Sequence, residues 1–461
     1  MNRLLLFLLM LLMVRATWAD VAADAFDALY DSIMIRDASD YREWQKVMGG
    51  HVPVGETVGQ DAVSPLIWRD SRYLIEGDTH ARFTRALDQF SALSDEEIEA
   101  LPDVKRAIMQ RHLWALFDWS VELTRDPPDP MPAGERRAQT RLQRRLAAQI
   151  RRLALSEAQI SQLPATLTAT GRSGEFPESY DPGDHLKPFF PRDLEEEDGP
   201  WVCLGNHRQL LLAERHSEAN RWRSVFRVFV RLPGDREETL AYLEKLSTFR
   251  EPWTTVKQEL SLEAWIPSAG SSIGLYINPE TPQFPAGTQF ALVEQAFLIS
   301  DAGELVVSPL TNSVQLRAYM RVDPEDPRND LRHRTQAFAE FEIQPREYMR
   351  GKAGMRAIGL DEHRYKTWSS RSDLFEGPGR GANPRLDSCM VCHAGWGIHS
   401  VNIRSQKFVR SNLFPPQLNE VEPESASRST VMAKEKDYSW GVLQALWPDH
   451  ETEPGRRAQR K

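Results

Sequence analysis

Cysteine is scarce: the 461-residue chain holds three. Three thiols cannot form the disulfide framework of a small exported domain, so stability has to come from packing and from whatever the chain binds. Long apolar runs are as scarce. After Leu4–Val14 no stretch is apolar enough for a transmembrane helix, and that run itself falls short of the roughly 20 residues a bilayer requires. The chain has no nucleophile elbow, no phosphate-binding glycine loop and no H-E-x-x-H pair. Nor is there an excess of basic residues. The net charge of −9 argues against nucleic acid or an anionic membrane as the partner.

What is present begins with the first 19 residues, MNRLLLFLLMLLMVRATWA. A positive charge at Arg3, the short apolar run and the small residues ending at Ala19 read as a secretory signal peptide cleaved before Asp20. The mature protein is then expected to be exported, to the periplasm in a bacterium. It has no membrane insertion after cleavage, and the loss of Arg3 and Arg15 takes its net charge to −11.

At 41% hydrophobic and 27% charged residues, the remainder suits a globular protein with a real core. Apolar residues recur at helical spacing through FTRALDQFSALSDEEIEALPDVKRAIMQRHLWALFDW, and residues 20–170 read as a helical domain. Two segments share the pattern L-S-x-x-x-I-x-x-L-P, Leu93–Pro102 and Leu155–Pro164. In each, Ser94 or Ser156 can cap a helix, with Glu97 or Gln159 three residues on. Between them lie seven arginines from Arg136 to Arg152 around a stripe of Leu142, Leu146, Ile150 and Leu153. That arrangement reads as a solvated helix face, with a docking surface as the alternative.

Residues 171–200 contain DPGD, PRD and LEEEDGP and read as a linker. From Trp201 the texture changes. RSVFRVFVRL and QAFAEFEI read as strands, PGDREETLAYLEKLSTF as a turn and a helix, and GTQFALVEQAFLIS with LVVSPLTNSVQLRAYM as a β-hairpin about DAGE. The expected class is therefore α+β: helices first, then a mainly antiparallel domain over 201–447, and a disordered tail at 448–461.

Two of the three cysteines stand together in SCMVCHAGWGIHSVN, Ser388–Asn402. Cys389, Met390, Val391, Cys392 and His393 spell C-x-x-C-H, the attachment signature of c-type haem. Thiols at i and i+3 lie on one face of a helical turn, and each can add to a porphyrin vinyl group. The next residue then offers its imidazole to the iron. A C-x-x-C disulfide or another metal site is the competing reading, but no second cysteine pair exists to complete a structural zinc site. On these residues the chain resembles the c-type cytochromes. The resemblance implies one covalent haem c, bound through Cys389 and Cys392, with His393 as the proximal iron ligand. It has no second C-x-x-C-H, unlike dihaem peroxidases and multihaem wires.

The stretch before the motif, DLFEGPGRGANPRLDS, reads as a loop rather than the helix of a small cytochrome. The haem segment is therefore expected to pack against the α+β domain. Met432, 39 residues beyond His393, is the expected sixth ligand by order and distance, or else a packing residue. Met349, Met355 and His363 are upstream alternatives, and Trp396 and His399 are expected along the haem edge. Cys203 reads as a buried small residue in a strand. His207 and His216 carry no distinguishing spacing. The first functional expectation is one-electron transfer with a redox partner protein. A haem enzyme of peroxidase or oxidase type, or a gas sensor, is the alternative, and a scaffold with the haem as a relay is a third.

Overall fold

A computed structural model describes residues 20–33, 77–125, 131–205, 212–249, 253–254, 263–266, 271–278, 280–320, 336–360, 386, 393, 397–401 and 418–447. The expected signal peptide, Cys389, Cys392, Trp396, His207, His363, the His399 side chain and the tail at 448–461 lie outside the described residues.

Helices come first: α1 (20–33), α2 (Gly77–Ser91), α3 (Asp95–Glu99), α4 (Asp103–Arg125), α5 (Ala133–Arg152), α6 (Glu157–Ser161) and α7 (Thr166–Ser173). The two L-S-x-x-x-I segments are α3 and α6, and both begin with a complete capping box. Ser94 accepts from the Glu97 amide and Ser156 from the Gln159 amide, while the Glu97 and Gln159 side chains reach back to the cap amides. In α5 the apolar stripe is buried as expected. Part of its arginine face laces helices together: Arg145 pairs with Asp88 at 2.5 Å and Arg152 with Asp95 at 2.7 Å.

The sheet follows: β1 (Val202–Gly205), α8 (Glu214–Ala219), β2 (Ser224–Arg231), α9 (Arg236–Thr248), β3 (Trp253–Thr254), β4 (Glu263–Ile266), β5 (Ser271–Ile277), β6 (Gln289–Ile299), β7 (Leu305–Tyr319), β8 (Gln336–Ile343), α10 (Pro345–Met349) and β9 (Met355–Ala357). After them come β10 (Asn419–Glu420), α11 (Pro423–Glu435) and α12 (Tyr438–Ala445). Seven strands form one antiparallel sheet in the order β10-β1-β2-β6-β7-β8-β9, and β3-β5-β4 form a second. The class is α+β, with the hairpin β6–β7 where the alternating sequence put it.

Helix α4 is buried over most of its length, and Gln110 and Arg111 reach from it to the sheet. The Gln110 amide acts as a strand partner for Ile299, accepting from its N–H at 3.0 Å and donating to its carbonyl at 2.8 Å. Leu113, Trp114 and Phe117 share one core with Val225, Phe297, Ile299, Leu310 and Trp440. Residues 174–200 carry no helix or strand, yet Phe189, Phe190 and Leu194 are buried against the sheet.

Strand alternation gives the large sheet two distinct faces. Cys203, Phe229, Ala291, Val293, Val314, Leu316, Ala339 and Phe341 line the first. Val202, Leu204, Val230, Phe290, Arg317 and Tyr319 line the second, where α9 packs. The chain changes face at β10: Leu418 packs into the second core and Val421, three residues later, into the first. Gly205 permits the crossing, since a Cβ there would stand 2.3 Å from the Val421 side chain. Helix α11 consequently lies on the first face, where Ser427 accepts from Arg227 at 3.3 Å.

Candidate cofactor site

His393 lies on the second face, with the turn Gly397–Ser400 just after it. Gly397 adopts φ +52°, a conformation that favours glycine, and lets the chain double back. Ile398, 1% exposed, fixes the turn in the core that holds Tyr319, Phe284 and Phe290. Its amide donates to Gln283 Oε1 at 2.9 Å. Ser400 Oγ donates to the Gly397 carbonyl at 2.8 Å. That spends its one proton, so the Tyr319 hydroxyl, 2.5 Å away, donates to Ser400 Oγ. Burial pushes the Tyr319 phenol up, which keeps it protonated for this role.

The Ser400 carbonyl orients His393. It lies 2.8 Å from His393 Nδ1, and a carbonyl can only accept, so Nδ1 carries the proton. Burial lowers the His393 imidazole well below its ordinary range, and the nearby Arg317 charge lowers it further. In the resulting neutral ring Nε2 keeps its lone pair. Gln336, opposite Tyr319 across β7 and β8, donates to the His393 carbonyl at 3.2 Å. Arg317 Nη1 donates to the Ser400 carbonyl at 3.1 Å.

A neutral imidazole with Nδ1–H tied to a backbone carbonyl and Nε2 unprotonated is the state a metal ligand needs, so His393 fits the iron-ligand role expected of it. Among the described residues no group of three or more His, Cys, Asp or Glu side chains is arranged to hold a metal ion.

The structure does not bring Met432 to His393. Met432 is 51% exposed on α11, and the seven-stranded sheet separates that helix from the His393 face. Spacing along the chain suggested it, but the crossing at β10 puts it on the wrong side. Met355 is buried in the core of the first face, and Met349 packs against the helical core. His216, which spacing did not single out, is on the His393 face: its ring lies 5.6 Å from Phe226, which alternates with Val228 and Val230. A charge on His216 would also disfavour protonation of His393. Tyr319, Arg317 and Gln336 escaped the sequence reading because they reach the site only through strand pairing. Ser400 carried a faint signal, standing seven residues past His393 in the same short segment.

Cys203 is buried in β1, and burial pushes its thiol up to about 12. It should therefore take no thiol reagent in the native state at neutral pH. Unfolding the protein under a thiol-free reductant should expose one titratable thiol if Cys389 and Cys392 are bound to haem, and three if they are not. A reagent count on the denatured protein decides between the two.

In comparisons with known proteins, no family model matched the chain, and no curated protein and no solved structure matched it.

Proposed function

We propose that the chain is an exported monohaem c-type protein that exchanges single electrons with a redox partner protein. The observation that supports this best is His393: a neutral imidazole, oriented through Nδ1 by the Ser400 carbonyl, directly after the C-x-x-C pair. Cys389 and Cys392 would hold the haem covalently, and His393 would ligate its iron. Bound there, the haem would supply a reversible one-electron couple. The protein's part is to fix the imidazole, keep it unprotonated and exclude water with Ile398, Phe290 and Tyr319. The acidic surface and the export signal suit a soluble carrier outside the cytoplasm. Among the described residues no helix is long and apolar enough to cross a membrane.

The displacement of Met432 favours a second reading, a haem enzyme or gas sensor with an open iron. Among the described residues no methionine belongs to the core that receives Ile398, and His216 becomes the side chain to vary in place of Met432. Absorption spectra of the mature protein, oxidised and reduced, with and without carbon monoxide, separate the readings. For a closed electron-transfer centre, low-spin bands unmoved by carbon monoxide are expected, and His216→Ala should admit the gas if His216 is the sixth ligand. Ready uptake by the unaltered protein would move the assignment to catalysis or sensing. Absence of haem bands after maturation with the attachment machinery would remove the haem reading.

A further inference from the structure

We propose that Arg317 is a positioning residue that raises the reduction potential of the haem iron, acting from the proximal side through the Ser400 carbonyl that orients His393. This rests on the haem reading above and names a control on that same site.

One acceptor serves two donors. The Ser400 carbonyl takes the His393 Nδ1–H at 2.8 Å and the Arg317 Nη1–H at 3.1 Å. A carbonyl that accepts from a neutral donor alone would draw the imidazole proton toward itself and make the ring more electron-rich. A guanidinium on the same oxygen withdraws density from it and weakens that pull. Arg317 is also a fixed charge. Its guanidinium carbon lies 5.6 Å from the Phe290 ring and 5.8 Å from the Tyr319 ring, so it is stacked in place rather than solvated as a free end. Among the described residues no carboxylate pairs with it.

Both effects act in one direction. Reduction lowers the positive charge at the iron by one, so a nearby cation favours the reduced state. A less electron-rich imidazole does the same. The exchange is a single electron gained from a reduced donor protein and passed to an oxidised acceptor, with no bond made or broken and no proton required of Arg317.

The turn has a second anchor with no charge, and this makes the inference testable. Tyr319 holds Ser400 by its side chain at 2.5 Å. Tyr319→Phe loosens the turn but leaves the cation, whereas Arg317→Gln removes the cation and leaves a donor. Optical redox titrations of the full mature haem-loaded chain and its variants decide the matter. In Arg317→Gln the reduced-to-oxidised ratio at fixed solution potential should fall about tenfold, equivalent to about 59 mV for one electron. Arg317→Lys and Tyr319→Phe should each stay within about twofold of the unaltered protein. A ratio unchanged in Arg317→Gln overturns the inference, as does a fall in Tyr319→Phe equal to that in Arg317→Gln. Should Arg317→Gln fail to accumulate, a tenfold fall in Arg317→Lys overturns it and a retained potential supports it. An unaltered protein without haem removes the haem reading itself, an outcome distinct from a haem-loaded protein whose potential ignores Arg317.

Discussion

Replacing Lys434 with alanine is expected to destabilise the fold by about 3–5 kcal/mol, the usual cost of removing one partner from a buried ion pair. Lys434 and Asp118 are both fully buried, and Lys434 Nζ donates to Asp118 Oδ2 at 2.7 Å. Arg223 donates to the same oxygen at 2.7 Å. Lys434 also donates to Ser439 at 3.2 Å and sits 5.2 Å from the centre of the Trp114 ring. The cluster joins α4, the start of β2, α11 and α12, so it ties the last helices of the chain to the helical core. Urea denaturation should show the loss as a lower midpoint with little change in slope. Asp118→Asn with Lys434→Met should recover part of it, because less charge is then left without a partner. A cost in Lys434→Ala below about 1 kcal/mol would mean that water reaches Asp118 and that the cluster is an ordinary surface pair.

The same cluster carries a pH dependence. Burial alone would raise the Asp118 carboxyl, but the Lys434 ammonium and the Arg223 guanidinium outweigh it and hold it below the ordinary range. A carboxyl whose folded pKa lies below its unfolded value, about 3.9 for aspartate, adds stability above that value. The contribution disappears as pH falls through the depressed folded pKa. Stability should therefore drop below about pH 4, and an acid titration of Lys434→Ala should unfold at a higher pH than the unaltered protein.

Local pattern made most of the elements legible. RSVFRVFVRL is β2 because its alternate residues serve two different cores, and L-S-x-x-x-I-x-x-L-P is a capped helix because serine and the residue three on satisfy each other's amides. The C-x-x-C-H segment singled out His393 for the same reason, since the chemistry proposed for it would be contained in five consecutive residues. Distance along the chain failed where the answer depended on the sheet. Met432 looked well placed by count, but β10 is only two residues long and the chain changes face there. Tyr319, Arg317 and Gln336 were invisible for the complementary reason. They meet Ser400 and His393 only because β7 and β8 pair Tyr319 with Gln336 and alternation turns Arg317 to the same side.

Separating attachment from ligation gives the other large effect. Cys389→Ala with Cys392→Ala should abolish covalent haem, read as complete loss of haem-dependent peroxidase staining after denaturing electrophoresis. His393→Ala should keep the stain, since the thiols are intact, but lose the low-spin spectrum of the reduced protein. Added imidazole should restore it, because the lost group is a neutral nitrogen donor and the Ser400 carbonyl remains to accept from a ring placed there. The two results are independent. A double cysteine variant that still stains would mean that the C-x-x-C pair does not hold the haem. A His393→Ala protein with an unchanged spectrum would mean that another side chain ligates the iron, and that the neutral, carbonyl-bound imidazole serves only to pack the turn against the sheet.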